Sequence, residues 1–347
     1  MPPLTAASIN DAAPNGANDK DPSLIAKAET LLDRAHFSPG EIDALDGDNF
    51  RSAIRAFQEV HGLPISGNLD ADTWKALAPG GSEPVLKSYT ISDADVAGPF
   101  TKAIPADLVA MAKLPGLSST GPLAELAEKF HISQSLLRRL NPRADFERAG
   151  AELVVADVPE MKLTPGRHAV EVVPPKDDAK DRNGPVAATI VVDKPARNVR
   201  AYDRNGKLLA FYPASIGSEE KPAPSGIFKV KGVDWNPEYR YDPKFAWKGV
   251  KTKRELTVQR GPNNPVGLVW IDLTAPSYGI HGTPEPEDIG KTESHGCIRL
   301  TNWDAVDLAA MARPGTVVRF EDQDSPVAPL SVPVSATQRP GVERRVP

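Results

Sequence analysis

The sequence predicts a multidomain α+β protein: a small three-helix unit, then an αα/β unit, then a mainly-β domain filling the second half. Between 21 and 78, apolar residues recur at helical spacing. Over 122–158, two further helical patterns run into the strand-like Glu152-Leu153-Val154-Val155. From 187 the apolar period drops to two, and turn residues punctuate the runs. With 347 residues the chain can bury two or three separate cores.

Each element has its own signal. Asp21-Pro22 is a helix start, and Leu24, Ile25, Ala28, Leu31, Leu32 and Ala35 share one face. Phe50, Ala53, Ile54 and Phe57 make the stripe of a second helix, and a third follows Asp70 or Asp72 with Trp74 and Leu77. HGLPISGNLD supplies the turn between these two. Residues 79–117 show no sustained period. Leu123, Leu126, Ala127 and Phe130 then form one helical face, Ser133 caps a helix bearing Leu136, Leu137 and Leu140, and Asn141-Pro142 stops it. In the β region, Asn205-Gly206 marks a hairpin, and GIFKVKGV and GLVWIDL read as strands. A helix returns at 303–312 with Asn302 as its expected cap, and Val317–Phe320 reads as a closing strand. The expected boundaries are a disordered lead over 1–20, a three-helix domain over 21–80 and an αα/β module with an insertion over 86–160. A linker over 161–186, a mainly-β domain over 187–321 and a Pro-rich tail over 322–347 complete the chain.

Composition excludes several classes. A net charge of −5 argues against a nucleic-acid surface. No apolar run approaches the ~18 residues of a membrane-spanning helix. The 35 prolines concentrate between apolar blocks, as linkers and turns require. A single cysteine precludes an intramolecular disulfide and fits either a reducing or an oxidising compartment. The first twenty residues have neither the basic start nor the apolar core of a secretory signal.

That cysteine lies in GIHGTPEPEDIGKTESHGCIRLTN, residues 279–302. A thiol attacks as thiolate, and a nearby imidazole is the usual means of raising the thiolate fraction. Two of the six histidines, His281 and His295, fall in this window, and its glycines and prolines allow the segment to fold back on Cys297. If the stretch after Ser294 is extended, His295, Cys297 and Arg299 share a face. Gly296 lets the backbone approach closely and aims an N–H at a reacting oxygen, the basis of an oxyanion hole. A buried structural cysteine is the commoner fate of a lone thiol, but the clustering in one Gly-rich loop favours chemistry. Zinc fits poorly: a fourth ligand is lacking and His-x-Cys is not a standard pair.

The HGT and SHGCIRLTN motifs, with His281 sixteen positions before Cys297, resemble the signature of the L,D-transpeptidase catalytic domain, the YkuD domain. The similarity runs over roughly 187–321 and includes PAPSGIFKV, where Ser225 stands in place of the family's usual threonine. The resemblance implies Cys297 as nucleophile, His281 as general base, His295 in orientation and hydrogen bonding, and Gly296 in the oxyanion hole. It implies Arg299 for holding a substrate carboxylate or carbonyl, with Ser294 and Gly282 as further substrate-binding candidates. FRSAIRAFQEVHGLPISGNLDADTWKAL resembles the peptidoglycan-binding domain of wall enzymes, and LAEKFHISQSLLRRLNP with AGAELVVADV resembles the second half of a LysM module, SYTI at 88–91 serving as its first strand.

The function so implied is formation of 3-3 peptidoglycan cross-links through a thioester on Cys297. The partners are stem peptides and glycan, with carbapenem-type inhibitors acylating the same sulfur and no cofactor or metal required. The two preceding modules would tether the enzyme to its polymer without taking part in the chemistry. Export to the periplasm or cell wall follows from the substrate, with the export signal absent from this sequence. Water as acceptor would make an L,D-carboxypeptidase, and a lipoprotein lysine an attaching or detaching enzyme. A catalytically idle wall-binding scaffold and a cytosolic redox-sensing thiol protein are the readings from other classes.

Overall fold

The computed structural model describes residues 4–14, 20–80, 83–175, 184–218, 221–245, 252–292 and 296–322. In chain order the first helices are α1 (Ala6–Asn10), α2 (Pro22–Arg34), α3 (Asp48–Val60) and α4 (Ala71–Leu77). Asp21 caps α2 by accepting from Ser23 N, and Asp70 caps α4 by accepting from Thr73 N. Leu24, Ile25, Ala28 and Leu32 of α2 close a core with Phe50, Ala53, Ile54 and Phe57 of α3 and Leu77 of α4. Gln58, one turn after Ile54, is fully buried, donates to Thr73 Oγ1 at 2.8 Å and accepts from Gly67 N at 2.9 Å. It thereby ties the Gly-rich turn to α4.

The lead expected to be disordered over 1–20 is folded through part of its length. Thr5 caps α1, Ile9 is fully buried, and Asn10 Oδ1 accepts from Val85 N and Leu86 N at 2.8 and 3.0 Å. One large apolar residue, Ile9, in a five-residue helix leaves no periodicity to read, so the sequence gives no sign of it.

The middle segment contains β1 (Leu86–Thr90), α5 (Asp93–Ala97), α6 (Leu108–Met111), α7 (Pro122–Lys129), α8 (Gln134–Leu140) and β2 (Glu152–Ala156). Strands β1 and β2 pair antiparallel, Leu86 opposite Ala156, with α7 and α8 packed between them in sequence. Ser133 caps α8 as expected. Helix α5 packs back on α7, its Asp95 accepting from Tyr89 and Lys129, while the stretch carrying α6 buries Leu108 and Leu117 against Tyr241 and Val258 of the next unit. The stretch expected as a plain linker holds a hairpin, β3 (Leu163–Pro165) and β4 (Val170–Val172), whose Val172 enters the core of the last unit. Only three residues per strand left too short a pattern to read.

The remaining strands are β5 (Thr189–Asp193), β6 (Asn198–Tyr202), β7 (Leu208–Pro213), β8 (Ser215–Ile216), β9 (Gly226–Trp235), β10 (Tyr239–Tyr241), β11 (Leu256–Val258), β12 (Val269–Leu273), β13 (Gly279–His281) and β14 (Ile298–Arg299). Helix α9 (Asn302–Met311) and strand β15 (Val317–Glu321) follow. Nine of these strands form one sheet in the order β7-β6-β5-β15-β9-β12-β13-β14-β8, while β10 and β11 make a separate hairpin. Pairing is parallel between β5 and β15 and between β13 and β14, and antiparallel elsewhere. The hairpin at Asn205-Gly206 joins β6 to β7, with Gly206 at φ 78° and Asp203 Oδ1 accepting from Asn205 N and Lys207 N.

Helix α9 packs on β12 and β13 and is buried around most of its circumference, which is why it carries little amphipathic pattern. Its cap is Thr301, whose hydroxyl accepts from Asp304 N at 3.1 Å, and not Asn302 as the sequence suggests. Asn302 is drawn inward by the unpaired N–H of Leu268, which it accepts at 3.0 Å. The first turn of α9 is a junction of the whole chain. Asn302 Nδ2 donates to Glu128 of α7 at 2.6 Å, Trp303 stacks on His131 with ring centroids 5.4 Å apart, and Asp304 accepts from Ser38 Oγ at 2.9 Å.

Candidate active site

Strands β13 and β14 place the candidate residues. They lie side by side in parallel, His281 opposite Arg299, and Cys297 enters β14 from the preceding loop. Because consecutive strand residues alternate sides, Ile280 and Ile298 go to the core, both fully buried, while the neighbouring positions open outward. His281, Cys297 and Arg299 thus line one cleft of about 1600 Å³, together with Tyr278, Trp270, Tyr239 and Lys221.

The imidazole of His281 is held on two sides. Its Nδ1 lies 2.7 Å from the carbonyl oxygen of Gly282, so Nδ1–H donates there and the lone pair is left on Nε2. Trp270, its cross-strand neighbour on β12, stacks on the ring at 5.4 Å and 19°. Close packing behind the ring depends on glycine: a Cβ on Gly279 would lie 2.5 Å from the Trp270 ring, and one on Gly282 would lie 2.0 Å from Asn302 Oδ1. Gly282, expected to bind substrate, accepts from His281 through its carbonyl and packs against Asn302.

Cys297 is half-buried, with Sγ 3.9 Å from the carbonyl oxygen of Ser277. Ser277 adopts φ 67°, a left-handed conformation that costs a non-glycine residue ~1 kcal/mol or more and recurs at functional sites. Gly296 has φ 104°, and a Cβ there would press on the Tyr278 ring at 3.1 Å. Strand β14 begins only at Ile298. Cys297 and Arg299, two positions apart, line the same cleft, as the expected alternation requires of them, and Ser294 and His295 lie outside the described residues.

Burial sets the protonation of the pair. It pushes the Cys297 thiol above its ordinary value, against the opposing pull of a Gly279 backbone hydrogen bond and the Arg299 and Lys221 charges. Burial lowers His281 to about 4; the Gly282 hydrogen bond works against this and the Arg299 charge adds to it. Both shifts favour the uncharged form of each group, a thiol and a neutral imidazole. Arg299 is itself lowered by burial, and Glu285 and Asp288 oppose that shift.

Tyr278, Trp270, Tyr239 and Ser277 escaped the sequence reading. Trp270 alternates with core residues in a strand, and nothing local distinguishes an aromatic facing a cleft from one facing a core.

Residues 187–320 match the family model described as the L,D-transpeptidase catalytic domain, YkuD, and residues 22–77 match the model described as "Putative peptidoglycan binding domain". The "Putative L,D-transpeptidase YkuD" of Bacillus licheniformis is 32% identical over 198 residues, covering 56% of this chain and 91% of that protein. The protein of the same name from Bacillus subtilis is 27% identical over 197 residues, with 56% and 91% coverage. A solved L,D-transpeptidase from Mycobacterium smegmatis aligns with 19% identity over 52% of this chain and 77% of that chain, at a TM-score of 0.32. The family match spans both His281 and Cys297, the licheniformis relative is matched along nine-tenths of its length, and the chain belongs to the L,D-transpeptidase family.

Proposed function

We propose that the protein is a cell-wall acyltransferase that forms 3-3 peptidoglycan cross-links through a thioester on Cys297. The observation that carries this is the hydrogen bond from His281 Nδ1 to the Gly282 carbonyl, in a cleft that Cys297 shares. It reserves Nε2 as the base.

Sγ attacks the carbonyl carbon of the third residue of a tetrapeptide stem, at its amide bond to D-alanine, as the thiol proton passes to Nε2 of His281. The N–H groups of Gly296 and Cys297 receive the developing oxyanion. The C–N bond breaks, His281 returns the proton to the departing D-alanine amine, and the thioester remains. An amine of a second stem then attacks the thioester carbonyl, His281 takes the amine proton, and the thiol is regenerated. Arg299, with its charge in the cleft, suits a stem carboxylate or carbonyl, and Ser294 and His295 are assigned supporting roles from the motif alone. A cleft of about 1600 Å³ exceeds the ~300–1,000 Å³ of a single-ligand pocket, as a reaction joining two stems requires. No metal or organic cofactor enters this scheme.

The segments over 21–80 and 86–160 are proposed to hold peptidoglycan, the second as a LysM-like βααβ unit, and the substrate places the protein outside the cytoplasmic membrane. Among the described residues no helix is long and apolar enough to cross a membrane. Carbapenems are proposed to acylate Cys297 as stem mimics. Incubating the protein with defined tetrapeptide stems, then identifying products by mass spectrometry, tests the reaction. Cross-linked dimers from the wild type and none from Cys297→Ala are expected. Tripeptide alone would make water the acceptor, and transfer to a lipoprotein lysine would make the protein an attachment enzyme.

A further inference from the structure

We infer that Glu128, on α7 of the middle segment, is a positioning residue for His281, acting through Asn302 and the Gly282 peptide. The inference rests on the reading of His281 as the base.

Every polar atom of the Asn302 amide is engaged. Oδ1 accepts from Leu268 N at 3.0 Å, and Nδ2 donates to Pro262 O at 3.2 Å and to Glu128 Oε1 at 2.6 Å. The amide can hold only one of its two flipped orientations, because the other would set an N–H against the N–H of Leu268. Oδ1 is wedged between two facing glycines: a Cβ built on either Gly267 or Gly282 would lie 2.0 Å from it. Gly282 is therefore fixed on one side by Asn302 and in the sheet by its own N–H to Val269 O at 3.3 Å. Its carbonyl is the one that accepts from Nδ1 of His281. Glu128 holds Asn302, Asn302 walls Gly282, and Gly282 selects the tautomer that keeps Nε2 free of a proton.

Of the three groups holding the amide, two are backbone atoms of the catalytic unit itself. Glu128 is the side-chain contributor, and it comes from 174 residues upstream. Burial pushes its carboxyl up to about 8, with the Asn302 donor opposing the shift, so the contact must work with the acid largely neutral. An amide oxygen at the same place would serve as well.

The test compares Glu128→Ala and Glu128→Gln in the full chain. Its readouts are the ¹⁵N spectrum of the His281 imidazole, the maximal rate and half-saturation of Cys297 acylation by a carbapenem, and melting temperature. Glu128→Ala is expected to mix the imidazole tautomers and lower the maximal acylation rate about tenfold. Half-saturation should stay within about twofold. Glu128→Gln should restore both rate and tautomer. Acylation at the wild-type rate in Glu128→Ala, a loss confined to half-saturation, or equal losses in both variants would overturn the inference. Failure of the wild type to acylate would instead strike the base assignment, while the tautomer spectrum still reports on Glu128.

Discussion

Lowering the pH from 7.5 to 5.5 should leave Cys297 acylation nearly unchanged. His281 must be neutral to accept the thiol proton, and burial holds its imidazole at about 4 in place of the ordinary 6.5. At pH 5.5 a base of pKa 4 is about 97% neutral, whereas one of 6.5 is about 9% neutral, roughly a tenfold difference in available base. The same displacement bears on stability. The unfolded chain binds this proton more tightly than the folded one, so the contribution of His281 is flat above about 6.5 and destabilising as pH falls towards 4. At ~1.4 kcal/mol per tenfold in proton affinity, the loss reaches roughly 3 kcal/mol near pH 4. The assay is the rate of carbapenem acylation across pH 4–8, with a ¹H–¹⁵N titration of the imidazole on the same samples. A rate that drops to about a tenth between 7.5 and 5.5, with the imidazole titrating near 6.5, would refute the neutral-pair mechanism.

Three further outcomes follow from the packing. Gly282→Ala should lower stability by ~1–3 kcal/mol and slow acylation as well, because its Cβ would sit 2.0 Å from Asn302 Oδ1; an unchanged melting temperature would mean that Asn302 is not wedged there. Asn10→Ala strips the acceptor from two backbone N–H groups of the 85–86 segment and should cost ~1–3 kcal/mol in urea unfolding, against no change if the N-terminal helix is only loosely attached. Deleting 1–160 should impair turnover of a soluble stem peptide as well as wall binding, since it removes Glu128, Ser38 and His131 from α9; intact soluble turnover would restore the picture of the modules as passive tethers.

Much of the site was legible because chemistry compresses into short motifs. Cys297, His281 and Gly296 stand within nineteen residues of sequence, 279–297, and Cys297 and His281 line one cleft. Helices were legible where long enough to show a period, as in the Phe50–Phe57 stripe, and capped by Asp21, Asp70 and Ser133. What escaped was non-local. Asn302 and Thr301 are equally good caps by composition, and only the buried N–H of Leu268 decides between them. The burial that raises the Cys297 thiol and lowers the His281 imidazole is likewise a property of surroundings that no spacing encodes. The short α1 and the β3–β4 hairpin contain too few residues to advertise themselves.

Asn302, Trp303 and Asp304 follow one another, yet each is gripped by a different distant stretch of chain: α7, the segment after α7, and the turn after α2. Cys297 sits only five residues before the first of them. Loosening of either N-terminal unit is thus transmitted to the cysteine loop through a single helical turn. A last unit transplanted without its neighbours would carry a Trp303 indole stripped of its His131 stack and an Asp304 carboxyl without its Ser38 donor, both on the helix that follows the Cys297 strand.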